Sequence, residues 1–272
     1  MNQHPLETGL VGGGNMGQAL IAGLIRGGME PAAIGIAEPD TARAAALRTQ
    51  FPGLALRTAA ELAAGARTLV LAVKPQVFPT LLPTLAGAVA GANPLVISVA
   101  AGISTAKMAE WLGAKTRIIR AMPNTPALIG AGIAGLFANG HATAADRETA
   151  ERLLGAVGKT LWVRDEEQMH AVTATSGSGP AYVFLLIEAM TEAAEGLGLD
   201  RDRARQLSLA TVAGAARLAA GSTEGPGELR ARVTSPGGTT ERAIAVFEEG
   251  RLRELVAKAM QAAAARSREL GG

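Results

Sequence analysis

Three glycines with the spacing G-x-G-x-x-G are the residues of this chain best suited to hold a phosphate. Gly12, Gly14 and Gly17 follow a short apolar run and precede an amphipathic segment, which predicts a strand, a turn and a helix. The first glycine permits the tight turn, the second lets the backbone approach a pyrophosphate, and the third lets the helix pack on the strand. We therefore predict a dinucleotide cradle; the alternative is a glycine-rich turn without a ligand.

An acidic residue stands where such a cradle contacts the adenosine ribose. Glu38 follows a second predicted strand at 34–37, about 20 positions after the last glycine. A carboxylate at this position accepts a hydrogen bond from a free ribose 2′-OH and repels a 2′-phosphate. Arg43 lies about one helical turn further on and is the group that a phosphate would recruit. The sequence thus allows NADPH or NADH and mildly favours NADH.

Four further stretches have the composition of ligand-binding turns. Residues 72–75 (Ala-Val-Lys-Pro) and 98–102 (Ser-Val-Ala-Ala-Gly) end predicted strands, where doubly wound sheets hold their ligands. Residues 120–130 contain two prolines that fix the backbone, as suits the wall of a site. Residues 235–240 (Ser-Pro-Gly-Gly-Thr-Thr) open a predicted helix and offer amides and hydroxyls to an anion. Ordinary turns and a helix N-cap are the alternatives.

The elements that position these turns follow from the pattern of apolar runs. Short β-branched runs recur at 69–73, 95–99, 117–119, 133–137 and 160–163, separated by helical or loop segments. Near-continuous apolar strands with this βαβ rhythm are typical of a parallel sheet covered by helices on both faces. From Glu166 onward the chain has only helical patterns. We predict an α/β fold: a Rossmann-type doubly wound sheet at 1–164, followed by an all-α domain at 165–272.

One predicted helix, at about 179–195, is apolar around its whole circumference. Its segment 181–187 reads Ala-Tyr-Val-Phe-Leu-Leu-Ile, which in a protein outside the membrane requires burial on every side. A helical domain of this size has little material to cover it. We infer a homodimer in which these helices pack against their counterparts; the alternative is the central helix of a monomeric bundle.

Composition narrows the function classes. Hydrophobic residues make up 48% of the chain and aromatics only 3%, and the net charge is +2 with scattered arginines. This pattern lacks the basic stripe and the stacking rings of a nucleic-acid protein. The absence of cysteine excludes disulfides and thiolate chemistry, and we expect no metal, no membrane insertion, no signal segment and a cytoplasmic location. We expect His4, His141 and His170 to be surface or linker residues.

Taken together and in order, these segments resemble the pyrroline-5-carboxylate reductase family over nearly the whole chain. The family pattern comprises six motifs, and all six occur here in sequence: a glycine-rich turn with Asn-Met-Gly at 15–17, Ala-Val-Lys-Pro at 72–75, Ser-x-Ala-Ala-Gly at 98–102, Arg-x-Met-Pro-Asn-Thr-Pro at 120–126, Ser-Gly-Ser-Gly-Pro-Ala-Tyr at 176–182, and Ser-Pro-Gly-Gly-Thr-Thr at 235–240.

The resemblance implies an enzyme that reduces 1-pyrroline-5-carboxylate to L-proline, the last step of proline biosynthesis, with NAD(P)H as the hydride donor. It implies a helical C-terminal domain that interlocks into a homodimer, often assembled into a ring of dimers. The cofactor contacts would be Gly12, Gly13, Gly14, Asn15, Met16, Gly17, Glu38, Ala72, Val73, Lys74, Pro75, Val99, Ala100 and Ala101. The substrate contacts would be Met122, Pro123, Ser176, Ser235, Gly237, Gly238, Thr239 and Thr240.

This chemistry fits what the chain lacks. Hydride addition to a cyclic imine gives an amine, and it needs neither a cysteine nucleophile nor a metal nor a strong base. The protein must bind the carboxylate, hold the C=N group in place and offer one hydrogen-bond partner to the nitrogen. Thr240 is our candidate for that partner, and Lys74 is a candidate contact for cofactor or carboxylate.

Two other classes share this layout. A β-hydroxyacid dehydrogenase uses a lysine on the first long helix of its second domain, but no lysine lies between Lys159 and Lys258. A nucleotide-sensing protein without catalysis would keep the fold and bind partners through its helices. The complete turn at 235–240 argues against that class.

Overall fold

The first part of the chain forms one eight-stranded sheet in the computed structural model, which describes residues 6–271. The spatial order of the strands is β3-β2-β1-β4-β5-β6-β7-β8. Their bounds are β1 Leu6–Val11, β2 Ile34–Ala37, β3 Ala55–Leu56, β4 Ala66–Leu71, β5 Leu95–Ser98, β6 Ile118–Met122, β7 Gly132–Ala138 and β8 Gly158–Trp162. The order reverses between β1 and β4, which is where doubly wound sheets bind their ligands.

The sheet is parallel from β3 to β6 but not throughout. Strand β7 runs antiparallel to β6, and β8 then pairs parallel to β7. The prediction of a parallel sheet was therefore wrong for β7 and β8, which both run opposite to the other six strands. A parallel return needs a crossover of a dozen residues or more, whereas residues 123–131 supply only a short 3₁₀ segment between β6 and β7.

Helices cover the two faces of this sheet and then continue alone. Their bounds are α1 Asn15–Arg26, α2 Thr41–Gln50, α3 Ala59–Gly65, α4 Phe78–Ala92, α5 Thr105–Leu112, α6 Ala144–Gly155, α7 Gln168–Val172, α8 Gly179–Gly196, α9 Arg201–Gly221, α10 Pro226–Arg232, α11 Thr239–Glu249 and α12 Leu252–Gly271. Two apolar clusters form the core, one with α1, α2 and α6 and the other with α3, α4 and α5. Apolar strands buried between two helical layers confirm the predicted doubly wound fold.

The chain divides into two compact units, which are residues 1–178 with 263–272, and residues 179–262. The last strand ends at Trp162, close to the predicted domain boundary after residue 164, and that boundary stays a prediction. Helix α12 contributes to both units, since its last turns belong to the first one. Within residues 6–271, every helix falls short of the length or the apolar character that a membrane crossing would require.

Helix α8 confirms the predicted helix at 179–195, and it exposes apolar side chains in the single chain. Phe184 and Leu185 are 63% and 64% exposed, and Leu186 is 47% exposed. None of the residues of α8 is buried within this chain. The sequence predicts that α8 is buried on every side, and this chain alone does not bury it. A surface outside these contacts must therefore cover it.

Candidate active site

The glycine-rich turn has the shape of a dinucleotide cradle. Gly12 follows β1 with φ at +107°, and a Cβ atom there would lie 2.7 Å from the carbonyl oxygen of Ala72. A Cβ atom at Gly17 would lie 2.2 Å from the carbonyl oxygen of Gly12, so the helix packs directly on the turn. At Gly14, in contrast, a Cβ atom would meet nothing within 4 Å. The turn is thus closed on the protein side and open at Gly14, which fits a pyrophosphate passing there.

The carboxylate of Glu38 is built into this cradle. Its Oε2 accepts a hydrogen bond from the Gly13 N–H at 2.8 Å, and its Oε1 accepts one from the Asp40 N–H at 3.0 Å. Arg43 Nη1 lies 3.3 Å from Oε2, and the Glu38 side chain is only 4% exposed. The structure therefore places Glu38 beside the glycine turn and pairs Arg43 with its carboxylate.

The strand ends predicted to hold the cofactor lie at the same edge of the sheet. The Ala72 N–H donates to the carbonyl of Val11 at 2.8 Å, and the Val99 N–H donates to the carbonyl of Leu71 at 3.1 Å. The ends of β1, β4 and β5 are therefore adjacent, and residues 72–75 and 99–101 extend from them. Lys74 is exposed at the start of a 3₁₀ turn, where it is accessible to an anionic group.

At the next strand end, the predicted substrate residue Met122 meets the turn that contains Ser176. Met122 ends β6, and a Cβ atom on Gly177 would lie 2.4 Å from its methyl carbon. Gly177 ends a π-helical turn at Thr173–Gly177, a geometry that is frequent at functional sites. The Ser176 hydroxyl within this turn donates to the Val172 carbonyl at 3.0 Å. The methionine and the turn thus form one wall, with Pro123 buried behind it.

The second turn, in the other compact unit, presents helix amides to solvent. The Gly238 N–H donates to the Ser235 carbonyl at 3.0 Å, which closes the turn, and α11 begins at Thr239. Within the described chain, the amides of Thr239 and Thr240 have no acceptor, as expected in the first turn of a helix. The Gly237 N–H donates to Oε2 of Glu241 at 2.7 Å. The carboxylate of Glu241 therefore occupies the Gly237 amide of this turn.

Sequence reasoning missed the role of Glu241 at this turn. Its signal was available, because an acidic residue three positions after an N-cap reaches back to the preceding amides. The sequence prediction for residues 235–240 rests on their glycines and hydroxyls alone. The comparable bond at α10, from the Gly225 N–H to Glu228 Oε2 at 2.9 Å, repeats the same local pattern.

His170 is buried, which corrects its assignment as a surface or linker residue. It is 8% exposed, and its Nδ1 lies 2.9 Å from the hydroxyl oxygen of Ser267, which is 3% exposed. Burial lowers the pKa of His170, and the positive charge of Arg120 lowers it further. His141 is exposed, and His4 lies outside the described residues.

The remaining shifted groups are surface pairs outside the candidate site. A hydrogen bond from Arg253 lowers the pKa of Glu248, and the same bond raises the pKa of Arg253. Hydrogen bonds from Thr58 lower the pKa of Glu61 at the start of α3. These groups are exposed, so their pairing carries no catalytic implication.

Two family models match the chain. The model described as pyrroline-5-carboxylate reductase dimerisation matches residues 166–270. The model described as NADP oxidoreductase coenzyme F420-dependent matches residues 7–102, which include the glycine turn and the ends of β4 and β5.

Relatives and solved structures agree over nearly the full length. A pyrroline-5-carboxylate reductase of Pseudomonas aeruginosa is 46% identical over 96% of this chain and 95% of its own. The structure of a pyrroline-5-carboxylate reductase from Coxiella burnetii superposes with a TM-score of 0.93 at 41% identity, covering 99% of this chain and 100% of the other. A Plasmodium falciparum pyrroline carboxylate reductase with NADP bound has a TM-score of 0.87 at 28% identity, with 98% of each chain covered.

Proposed function

Because the chain belongs to the pyrroline-5-carboxylate reductase family, we propose that it reduces 1-pyrroline-5-carboxylate to L-proline with NAD(P)H, the last step of proline biosynthesis. The observation that carries the proposal is that one chain contains two glycine turns, each opening onto a helix N-terminus. The turn at 12–17 suits a pyrophosphate, and the turn at 235–240 suits a carboxylate.

The first turn and its neighbouring strand ends bind the cofactor. Gly14 leaves the space for the pyrophosphate, and the first amides of α1 donate to it. Residues 72–75 and 99–101 lie along the same edge and hold the rest of the dinucleotide. When bound, NAD(P)H supplies the hydride. Glu38 favours NADH, since its buried carboxylate would repel a 2′-phosphate.

The second turn binds the substrate carboxylate. The free amides of Thr239 and Thr240 donate to it, with the Ser235 hydroxyl and the backbone at Gly237 and Gly238 completing the turn. A protonated C=N group is electrophilic, so hydride adds to its carbon and the π electron pair moves to nitrogen, giving a secondary amine. The Thr240 hydroxyl accepts a hydrogen bond from the nitrogen and orients it.

Four residues of the first unit also belong to the proposed site. Met122, Pro123 and Ser176 line the substrate pocket, where Met122 packs against the π-helical turn that contains Ser176. Lys74, exposed at the end of β4, contacts either a cofactor phosphate or the substrate carboxylate. Both roles require only its positive charge.

One assay tests this function directly. Purified protein, 1-pyrroline-5-carboxylate and either NADH or NADPH should show loss of the reduced nicotinamide absorbance together with formation of proline. The proposal fails if neither cofactor is oxidised in the presence of the imine. The ratio of kcat/KM for the two cofactors measures the preference that we assign to Glu38.

The protein is a homo-oligomer that acts on a small molecule, and we infer a dimer formed through α8 and a higher ring of dimers. The exposed apolar side chains of α8 support the dimer. We also propose a cytoplasmic location, because a chain without cysteine forms no disulfides and needs no oxidising compartment.

A substitution in α8 tests the dimer. Leu186→Arg would place an unpaired charge in the packed interface and should abolish both the dimer and the activity. A fully active monomer in sedimentation analysis would contradict this interface.

A further inference from the structure

The last turn of α12 packs backbone against backbone on residues 99–104, which we name the β5–α5 loop. Gly102 in this loop has φ at +84°, and a Cβ atom there would lie 3.0 Å from the Cβ atom of Leu270. A Cβ atom on Gly271 would lie 2.5 Å from the carbonyl oxygen of Gly102. The contact leaves no room for a side chain on either glycine, so the end of α12 packs directly on the middle of the loop.

The two ends of the β5–α5 loop are fixed by other elements. The Ser98 hydroxyl at the end of β5 accepts a hydrogen bond from the Ala100 N–H at 3.3 Å. At the other end, the N–H and hydroxyl of Thr105 donate to the carboxylate of Glu166 at 2.8 and 2.7 Å. Glu166 is itself paired with Arg120, which is 2% exposed on β6. Between these ends, Ala100 and Ile103 are buried in the core, and Gly102 meets the last turn of α12.

The last turn of α12 is in turn anchored to the segment around α7. Ser267 and His170 are both buried and are joined by the 2.9 Å hydrogen bond between Oγ and Nδ1. Arg268, on the next position of the helix, pairs with Glu167. The Ser267 hydroxyl can donate to Nδ1 or accept from it, and burial lowers the pKa of His170. The last turn of α12 is thus bonded to the α7 segment on one side and contacts the β5–α5 loop on the other.

This arrangement bears on the cofactor because the β5–α5 loop includes Val99, Ala100 and Ala101. We propose that the last turn of α12, anchored through Ser267 and His170, is a positioning element that holds this loop in its cofactor-binding shape. The inference rests on the proposed function, since it requires that the loop contacts NAD(P)H. It adds residues 267–271, at the far end of the sequence, to the groups that set cofactor affinity.

A variant that ends at Glu269 tests the contact, because it removes Leu270 and Gly271 together with the final Gly272. Its Kd for NADH, from fluorescence titration, should rise about tenfold through added disorder in the loop, while its KM for the imine changes less than about twofold. Backbone amides of residues 99–104 should exchange hydrogen faster in the variant. An unchanged Kd, or unchanged exchange in the loop, overturns the proposal.

A second set of variants tests the hydrogen bond between Ser267 and His170. Ser267→Ala removes the hydroxyl that meets His170 and should raise the Kd for NADH about fivefold, and Ser267→Thr should restore most of the affinity. Arg266→Ala is the control, because Arg266 is exposed and pairs only with Glu269 among the described residues. If Ser267→Ala lowers the melting temperature but leaves the Kd for NADH unchanged, the hydrogen bond serves stability alone and the proposal is overturned.

The proposed function and the positioning role of α12 can be tested separately. If the parent protein binds neither NADH nor NADPH in the titration, the proposed function fails, and this inference fails with it. If the parent binds and turns over normally while the truncated and Ser267→Ala variants bind equally well, only the positioning role is lost.

Discussion

The two glycine turns of this protein each hold a carboxylate from their own chain, but they hold it differently. In the turn at 12–17 the Gly13 N–H donates to Glu38 at 2.8 Å, and in the turn at 235–240 the Gly237 N–H donates to Glu241 at 2.7 Å. Glu38 is 4% exposed and is also bonded by the Asp40 N–H and Arg43. Glu241 is exposed, lies four positions after Gly237, and accepts only that one bond within the described chain.

This difference indicates that the carboxylate of Glu38 is fixed in its turn, whereas the carboxylate of Glu241 is replaceable. Removing Glu38 from its place would leave the buried Gly13 amide without its partner, so its carboxylate belongs to the scaffold and can select the nucleotide. Moving Glu241 away costs little, because an exposed charge and an exposed amide are both solvated when they separate. We infer that the first turn uses its carboxylate for specificity, and that the second yields its amide to the substrate.

The largest expected effect breaks the first turn at its helix contact. Gly17→Ala puts a methyl group 2.2 Å from the Gly12 carbonyl oxygen, so the turn must open. We expect cofactor affinity to fall by about 3 kcal/mol or more, roughly 200-fold, with a lower melting temperature. Isothermal titration with NADH and thermal denaturation measure the two effects.

The matched control is Gly14→Ala, whose methyl group meets no protein atom within 4 Å. It should leave the melting temperature unchanged and weaken only cofactor binding, because it fills the space assigned to the pyrophosphate. A Gly14→Ala protein that binds NADH as tightly as the parent would remove the pyrophosphate from this turn.

The next effect concerns the hydroxyl at the second turn. Thr240→Ala should lower kcat about 10- to 150-fold, or about 1.5–3 kcal/mol, because one hydrogen bond to a charged nitrogen is lost. The KM for the cofactor should change little. Thr240→Ser keeps the oxygen and should retain most of the activity. Steady-state kinetics of the two variants decide the role; if Thr240→Ala equals the parent, the hydroxyl only supports the helix N-terminus.

The sequence predicted both turns because each depends on local residues. The spacing of Gly12, Gly14 and Gly17 after an apolar strand defines the cradle, and the two glycines and the hydroxyls at 235–240 define the other turn. The bond from Gly237 to Glu241 is also local, and helix-start patterns predict it. The direction of β7 was missed, although the short segment before it indicates a reversal.

The contacts that the sequence did not predict join distant parts of the chain. His170 and Ser267 lie 97 positions apart, and their hydrogen bond depends on where the end of α12 packs. The sequence predicts that Arg120 belongs to the wall of a site. In the structure its charge is buried on β6 and is paired with Glu166. Such pairs follow from tertiary packing, which no local spacing encodes.

A smaller effect tests whether the buried carboxylate selects the nucleotide. Glu38→Ser removes the charge that would repel a 2′-phosphate, so the ratio of kcat/KM with NADPH to that with NADH should rise about tenfold, roughly 1.4 kcal/mol. Glu38→Gln keeps the size and the hydrogen-bonding oxygen and should produce an intermediate ratio. A ratio that stays at the parent value in both variants places the adenosine ribose elsewhere.

The smallest effect tests whether the exposed carboxylate is replaceable. Glu241→Gln keeps an acceptor near the Gly237 amide but removes a negative charge beside the amides assigned to the substrate carboxylate. The KM for the imine should therefore fall about threefold, since exposed charges interact by less than about 1 kcal/mol, with kcat nearly unchanged. The difference from the parent should shrink as salt is added, because ions screen this repulsion. Glu228→Gln is the control, because Glu228 makes the same bond at α10, outside the proposed site, and should leave the KM at the parent value. A higher KM in Glu241→Gln would mean instead that this carboxylate holds the turn in shape, as Glu38 does in the other turn, and the contrast between the two would disappear.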